Sequence, residues 1–290
     1  MRKLFSRIGK RPIIFIFILI ATIPLCVVEQ FNPYMNKYGS MSIIASQNYM
    51  TNLANLADSF SVAVRGSLRI NALTVLIGLL FVMALSLILG VFFGGYFQTL
   101  YLAVNDVPKK KNDFKLGINR HFAKLTVYFF VLIITAVLLG ILILFSAVPF
   151  VMHLQMFLQG DSSVIFKMML LAILTVLFGY FTIVFYCMYM SYMIPALVGF
   201  KKGGIMVSFK MTNGYCWYLM PRTTLFLFLM LALKVVMLIL GYGTATGLRA
   251  AACFGVNWIF TALILFGYLY YVFDIFTVMK EDMFTAEGAK

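Results

Sequence analysis

Between Leu125 and Val151 the sequence reads LTVYFFVLIITAVLLGILILFSAVPFV, without one charged residue. About 20 apolar residues, rising about 1.5 Å each, cross the hydrocarbon core of a bilayer as a helix. This run is long enough to do so, and too uniformly apolar to be the alternating strand of a membrane barrel. Lipid cannot satisfy exposed backbone N–H and C=O groups, so the run is read as a helix that bonds its own backbone. Comparable runs at 12–28, 72–102, 165–198, 223–242 and 251–278 bring the number of spans to six. The fold class read from the sequence is therefore all-α. It is a polytopic membrane helical bundle of about six transmembrane helices, forming one integral membrane domain over residues 1–290.

Composition points the same way. The chain is 63% hydrophobic and 11% charged, against about 45–50% and about 25% in a soluble domain. The formal charge of +14 does not point to nucleic acid, because Lys and Arg gather in alternate loops, the pattern of membrane topology. Arg2, Lys3, Arg7, Lys10 and Arg11 precede the first span, and Lys109, Lys110, Lys111, Lys115, Arg120 and Lys124 follow the second. Lys201, Lys202, Lys210 and Arg222 follow the fourth. The positive-inside rule places these loops, at 103–124 and 199–222, in the cytoplasm together with both termini. The expected location is the cell membrane, and the expected partners are the lipid bilayer and another membrane or cytoplasmic protein.

The longest segment on the other side, 29–71, is too short for a self-supporting core. Within it Leu53, Leu56, Ala57, Phe60, Val64 and Leu68 recur at spacings of three and four, which predicts an amphipathic helix. The first span begins like a signal peptide but has no small-x-small cleavage site, so it is expected to be retained. Cys26, Cys187, Cys216 and Cys253 show neither CxxC pairing nor metal-ligand spacing and read as packing residues. Cys26 and Cys253 both fall near the outer face, where they could pair or simply pack.

The two cytoplasmic loops look alike. Phe114-Lys115-Leu116 leads to His121-Phe122 and the third span, and Phe209-Lys210-Met211 leads to Tyr215, Trp217 and the fifth. With Lys3-Leu4-Phe5 before the first span, this suggests three repeated helical hairpins, each introduced by a basic, aromatic segment at the cytoplasmic interface. The order Pro195-Ala-Leu-Val, Lys202-Gly203-Gly204, Ser208 to Gly214 and Trp217 resembles the loop of bacterial proteins similar to the glycerophosphodiester phosphodiesterase membrane domain. The resemblance covers about residues 190–235. An acidic residue often found before the glycines in that family is replaced here by Phe200, Lys201 and Lys202. The resemblance implies a six-span membrane module without chemistry of its own, since catalysis in that family belongs to a separate soluble domain.

Reactive constellations are sparse. His121 and His153 fall on opposite sides of the expected membrane, Asp274 is the one carboxylate inside a span, and HExxH, GxSxG, Walker and GxGxxG patterns are absent. No metal, cofactor or enzymatic role is expected. His121 reads as an interfacial side chain. Ser86, Gly90 and Gly94 form a face of small residues that lets another helix approach closely, with a binding cavity as the alternative. The tyrosines at 180, 186, 189, 192, 268, 270 and 271 serve an interfacial belt, helix contacts or a cavity lining.

Lys234 is the most informative position, since a cation inside an apolar span costs roughly 2.5–3.5 kcal/mol on insertion scales. Either its stem lifts the ammonium to the outer headgroups, or it meets a polar partner of similar depth, with Asn257 and Glu29 as candidates. Three function classes remain. The first is a non-catalytic membrane module or accessory subunit. The second is a transporter or permease subunit using Lys234, the glycines and breaks at Pro24, Pro149 and Pro195. The third is a membrane enzyme acting on lipids, for which no acid/base pair is apparent.

Overall fold

A computed structural model describes residues 11–30, 71–200, 203–240 and 247–288. The segment with the expected amphipathic helix and the Lys3-Leu4-Phe5 motif lie outside the described residues. The described residues are almost entirely helical: α1 (Ile13–Gln30), α2 (Ala72–Val104), α3 (Asp113–Leu158), a 3₁₀ turn (Ser162–Val164), α4 (Ile165–Gly199), α5 (Gly204–Gly214), α6 (Cys216–Ile239) and α7 (Gly247–Gly288). Six of these helices are long and apolar enough to cross a membrane. The chain is an all-α polytopic helical bundle.

Its surface is that of a protein solvated by lipid. Leu76, Ile77, Leu80 and Phe81 on α2, and Phe166, Ile173, Leu174 and Val176 on α4, are all exposed. A contiguous apolar face of this extent has no place on a soluble monomer.

The chain groups into two compact units. The first contains α1, α2 from Leu87, α3 up to Val127, α4 from Cys187, and α5 to α7. Its core includes Met188, Tyr192, Met211, Leu219, Val272 and Phe276. α1 packs along α7: the Trp258 indole N–H donates to the Leu19 carbonyl at 2.7 Å, and Phe15 meets Phe266 edge-on at 5.5 Å. The second unit contains α2 up to Ser86, α3 from Tyr128 and α4 up to Tyr186. There the Tyr186 hydroxyl donates to the Leu132 carbonyl at 2.6 Å.

Several helices outrun the predicted spans. α3 has 46 residues and is therefore about 69 Å long, far more than the roughly 30 Å hydrocarbon core. Its first turns include residues 114–124, so this segment is continuous with the third span. No proline or glycine break follows Asp113 until Pro149 except the packed Gly117 and the open Gly140, so the helix axis simply continues. The proposed repeat diverges here, because the matching segment does form its own helix, α5.

Two glycines explain α5. Gly203 adopts φ 73°, a left-handed conformation that glycine takes at little cost. A Cβ on Gly204 would lie 2.7 Å from the Ala196 carbonyl oxygen, so only glycine lets α5 start against the end of α4. Pro24, Pro149 and Pro195 lie inside unbroken helices. Each removes one backbone hydrogen bond without ending the helix, so the breaks expected at these positions are absent.

Candidate functional site

Glu29 stands in the last turn of α1, where a carboxylate is unfavourably placed against the negative end of the helix dipole. Lys234, on α6, relieves this: its Nζ lies 2.7 Å from Glu29 Oε2. The same ammonium donates to Asn257 Oδ1 at 3.1 Å and Thr261 Oγ1 at 3.4 Å, both on α7. Asn257 in turn donates from Nδ2 to Glu29 Oε2 at 3.1 Å. The cluster thus joins α1, α6 and α7 and satisfies all three N–H groups of the ammonium.

Of the two sequence alternatives for Lys234, the structure has the pairing and not the lift toward the headgroups. A carboxylate and an amide within hydrogen-bond reach stabilise the ammonium where it stands, and extending the stem would abandon both. Lys234 and Glu29 are each 28% exposed at the side chain, whereas Asn257 and Thr261 are fully buried. The cluster is therefore half open at its charged end and closed at its neutral end.

Thr261 and Cys26 belong to the cluster and were not singled out from sequence. Thr261 is one helical turn beyond Asn257 on the same face, and Cys26 is one turn before Glu29, hydrogen-bonded with Thr261. The i, i+3 and i, i+4 spacings were the available signal. Cys26 and Cys253 are both buried free thiols, so they pack and do not pair.

A second ion pair lies at the other end of α1. Arg11, 4% exposed, has Nη1 3.4 Å from Asp113 Oδ2, donates from Nη2 to the Val107 carbonyl at 2.8 Å, and reaches the Thr99 carbonyl at 3.4 Å. Asp113 also accepts the Lys110 backbone N–H at 3.0 Å. The N-terminal end of α1 is thereby tied to the end of α2 and the start of α3.

Gly90 and Gly94 prove to be contact residues between α2 and α3. A Cβ on Gly90 would collide with the Thr126 side chain and lie 3.1 Å from its backbone nitrogen, and one on Gly94 would lie 3.4 Å from Ile118 Cα. The adjoining Gly95 and Gly117 are close as well, at 2.7 Å from the Phe114 ring and 2.8 Å from the Gly94 carbonyl oxygen. Phe114 is held in this contact and against Phe17, with ring centroids 6.1 Å apart. His121 faces the same contact: it is buried, and its Nε2–H donates to Gln98 Oε1 on α2 at 2.9 Å. Phe122 is half-buried, whereas Lys115, Phe209, Lys210 and Trp217 are exposed. Trp217 reaches 87%.

The tyrosines largely serve helix contacts. Tyr268 donates to Ser191 Oγ at 2.8 Å, and Tyr189 donates to Asn213 Oδ1. Among the described residues no three His, Cys, Asp or Glu side chains come together. No family model, no curated protein and no solved structure matches the chain.

Proposed function

We propose that the protein is a non-catalytic membrane module, an accessory subunit whose internal charges hold its own helices together. The observation that carries this reading is the saturation of Lys234, whose three N–H groups meet Glu29, Asn257 and Thr261. A cation so fully engaged serves cohesion better than substrate capture. The resemblance of residues 190–235 to the glycerophosphodiester phosphodiesterase membrane-domain family supports the same reading. The exposed Trp217, Met206 and Lys210 on and beside α5 suit a contact with the membrane interface and a partner protein. In this proposal the chain sits in the cell membrane with the Arg11 end and both termini in the cytoplasm.

A second reading, a transporter or permease subunit, is favoured by the 28% exposure of both Lys234 and Glu29, since a half-open charged pair within a span can admit an ion. The double variant Lys234→Met/Glu29→Gln separates the two. For a module, the neutral pair should restore the melting temperature lost by Lys234→Met and keep the cellular phenotype. Normal abundance and melting with the phenotype lost would reject the module and favour transport. Orientation is tested by reporter fusions after residues 112, 158 and 212, expected inside, outside and inside. An outside signal at 112 would overturn it.

A further inference from the structure

Beside the glycine contact of α2 with α3 lie two cavities of about 330 Å³ and about 350 Å³. The first is lined by Gln98, Asp113, Leu116, Asn119 and Arg120, the second by Val91, Ile118, Asn119 and Phe122. Asn119 lines both, so the two adjoin. We propose that together they bind one anionic glycerophospholipid, its headgroup in the first cavity and an acyl chain along the second.

Among the described residues, the one charge of the first cavity without a partner is Arg120. Its one acid, Asp113, is paired through Oδ2 with Arg11 at 3.4 Å and with the Lys110 backbone N–H at 3.0 Å. Gln98 accepts at Oε1 from His121, which leaves its amide NH₂ to donate. Arg120 is exposed, and among the described residues its guanidinium has no hydrogen-bond or ion-pair partner. A forked cation beside amide donors, with the cavity's one carboxylate already paired, favours an anionic phosphate over a headgroup of no net charge.

Depth distinguishes a lipid from a soluble anion. Arg120 precedes the apolar run of α3 by five residues, about 7.5 Å, which is headgroup level. On α2, Val91 lies seven residues before Gln98, about 10 Å further toward the bilayer centre. The second cavity, lined by Val91, Ile118 and Phe122 with Asn119 at the edge it shares with the first, therefore extends inward from it, as an acyl chain does. A free phosphate would use only the first cavity.

The test uses the delipidated full chain in detergent, titrated with short-chain phosphatidylglycerol, phosphatidylcholine or inorganic phosphate and read by native mass spectrometry. One phosphatidylglycerol should bind in preference to phosphatidylcholine. Arg120→Gln should weaken phosphatidylglycerol about tenfold, the loss of one charge-assisted contact, and leave phosphatidylcholine unchanged. Val91→Trp, which fills the apolar cavity, should weaken both lipids, and Lys167→Gln, on an exposed lysine outside the site, should alter neither. An undiminished preference in Arg120→Gln, or an equal loss in Lys167→Gln, would overturn the site. Competition by inorganic phosphate with Val91→Trp harmless would overturn the lipid. Arg120 is exposed and outside the core, so its substitution decides the matter even if Val91→Trp does not fold.

Discussion

The two ion pairs at the ends of α1 solve the same problem differently. At one end Arg11 is almost completely enclosed, and its planar guanidinium bridges the Asp113 carboxylate at the start of α3, the Val107 carbonyl of the α2–α3 connection and the Thr99 carbonyl within α2. At the other, Lys234 is a compact charge on a flexible stem, paired with a carboxylate that is itself 28% exposed. An enclosed pair loses more when broken, because the survivor is left without water. A half-open pair keeps a route to solvent or headgroups. The comparison assigns a rigid clamp to the Arg11 end and a softer junction to the Glu29 end.

Breaking the clamp should have the largest effect. Arg11→Met strands Asp113 and two carbonyls and should cost about 3–5 kcal/mol, seen as a large fall in melting temperature of the detergent-solubilised protein. Arg11→Lys should recover only part of it, since an ammonium cannot reproduce the fork. A loss no greater than that of Lys234→Met would erase the distinction between the two ends.

Lys234→Met should cost less, about 1–3 kcal/mol, for removing the ammonium that Glu29 and Asn257 share and leaving Glu29 with the Asn257 amide alone. Because the pair is partly exposed, Lys234→Arg should stay close to the parent protein. If Lys234→Met melts like the parent, the pairing contributes nothing and the junction is looser than its 2.7 Å contact implies.

A pair of glycine variants sharpens how the clamp is supported. Gly117→Ala places a Cβ 2.6 Å from Gln98 Cβ and 2.8 Å from the Gly94 carbonyl oxygen, whereas Gly140 has nothing within 4 Å. The first should cost about 1–3 kcal/mol by overpacking, and Gly140→Ala should be neutral or mildly stabilising, by less than about 1 kcal/mol. Equal melting of the two variants would show that the close approach of α2 and α3 is not what holds Asp113 in place.

Lys234 was legible because a lone cation in an apolar run has to be compensated, and Glu29 and Asn257 matched its depth. Arg11 was not legible, since it read as one of five basic residues before the first span. Its partner Asp113 is the one carboxylate between Lys109 and Lys124. That oddity was the available signal, but nothing local says that this loop folds back against the start of α1. The Gln98 partner of His121 was not legible for a related reason: basic and aromatic neighbours put the residue near the interface but do not say which helix its face of α3 meets.

Span length and backbone hydrogen bonding in a dry medium are local requirements that each apolar run meets alone, so the six helices can be read from the runs themselves. The runs also single out Lys234 as a charge within an apolar stretch and give its depth, while leaving pairing and the lift to the headgroups both open. Only the tertiary structure decided which faces meet: Thr261 and Cys26 joining Lys234, Arg11 closing on Asp113, and α5 standing apart while its counterpart merges into α3. Those outcomes depend on the rotation of each helix about its axis and on which helices adjoin. Hydropathy along a single chain carries neither.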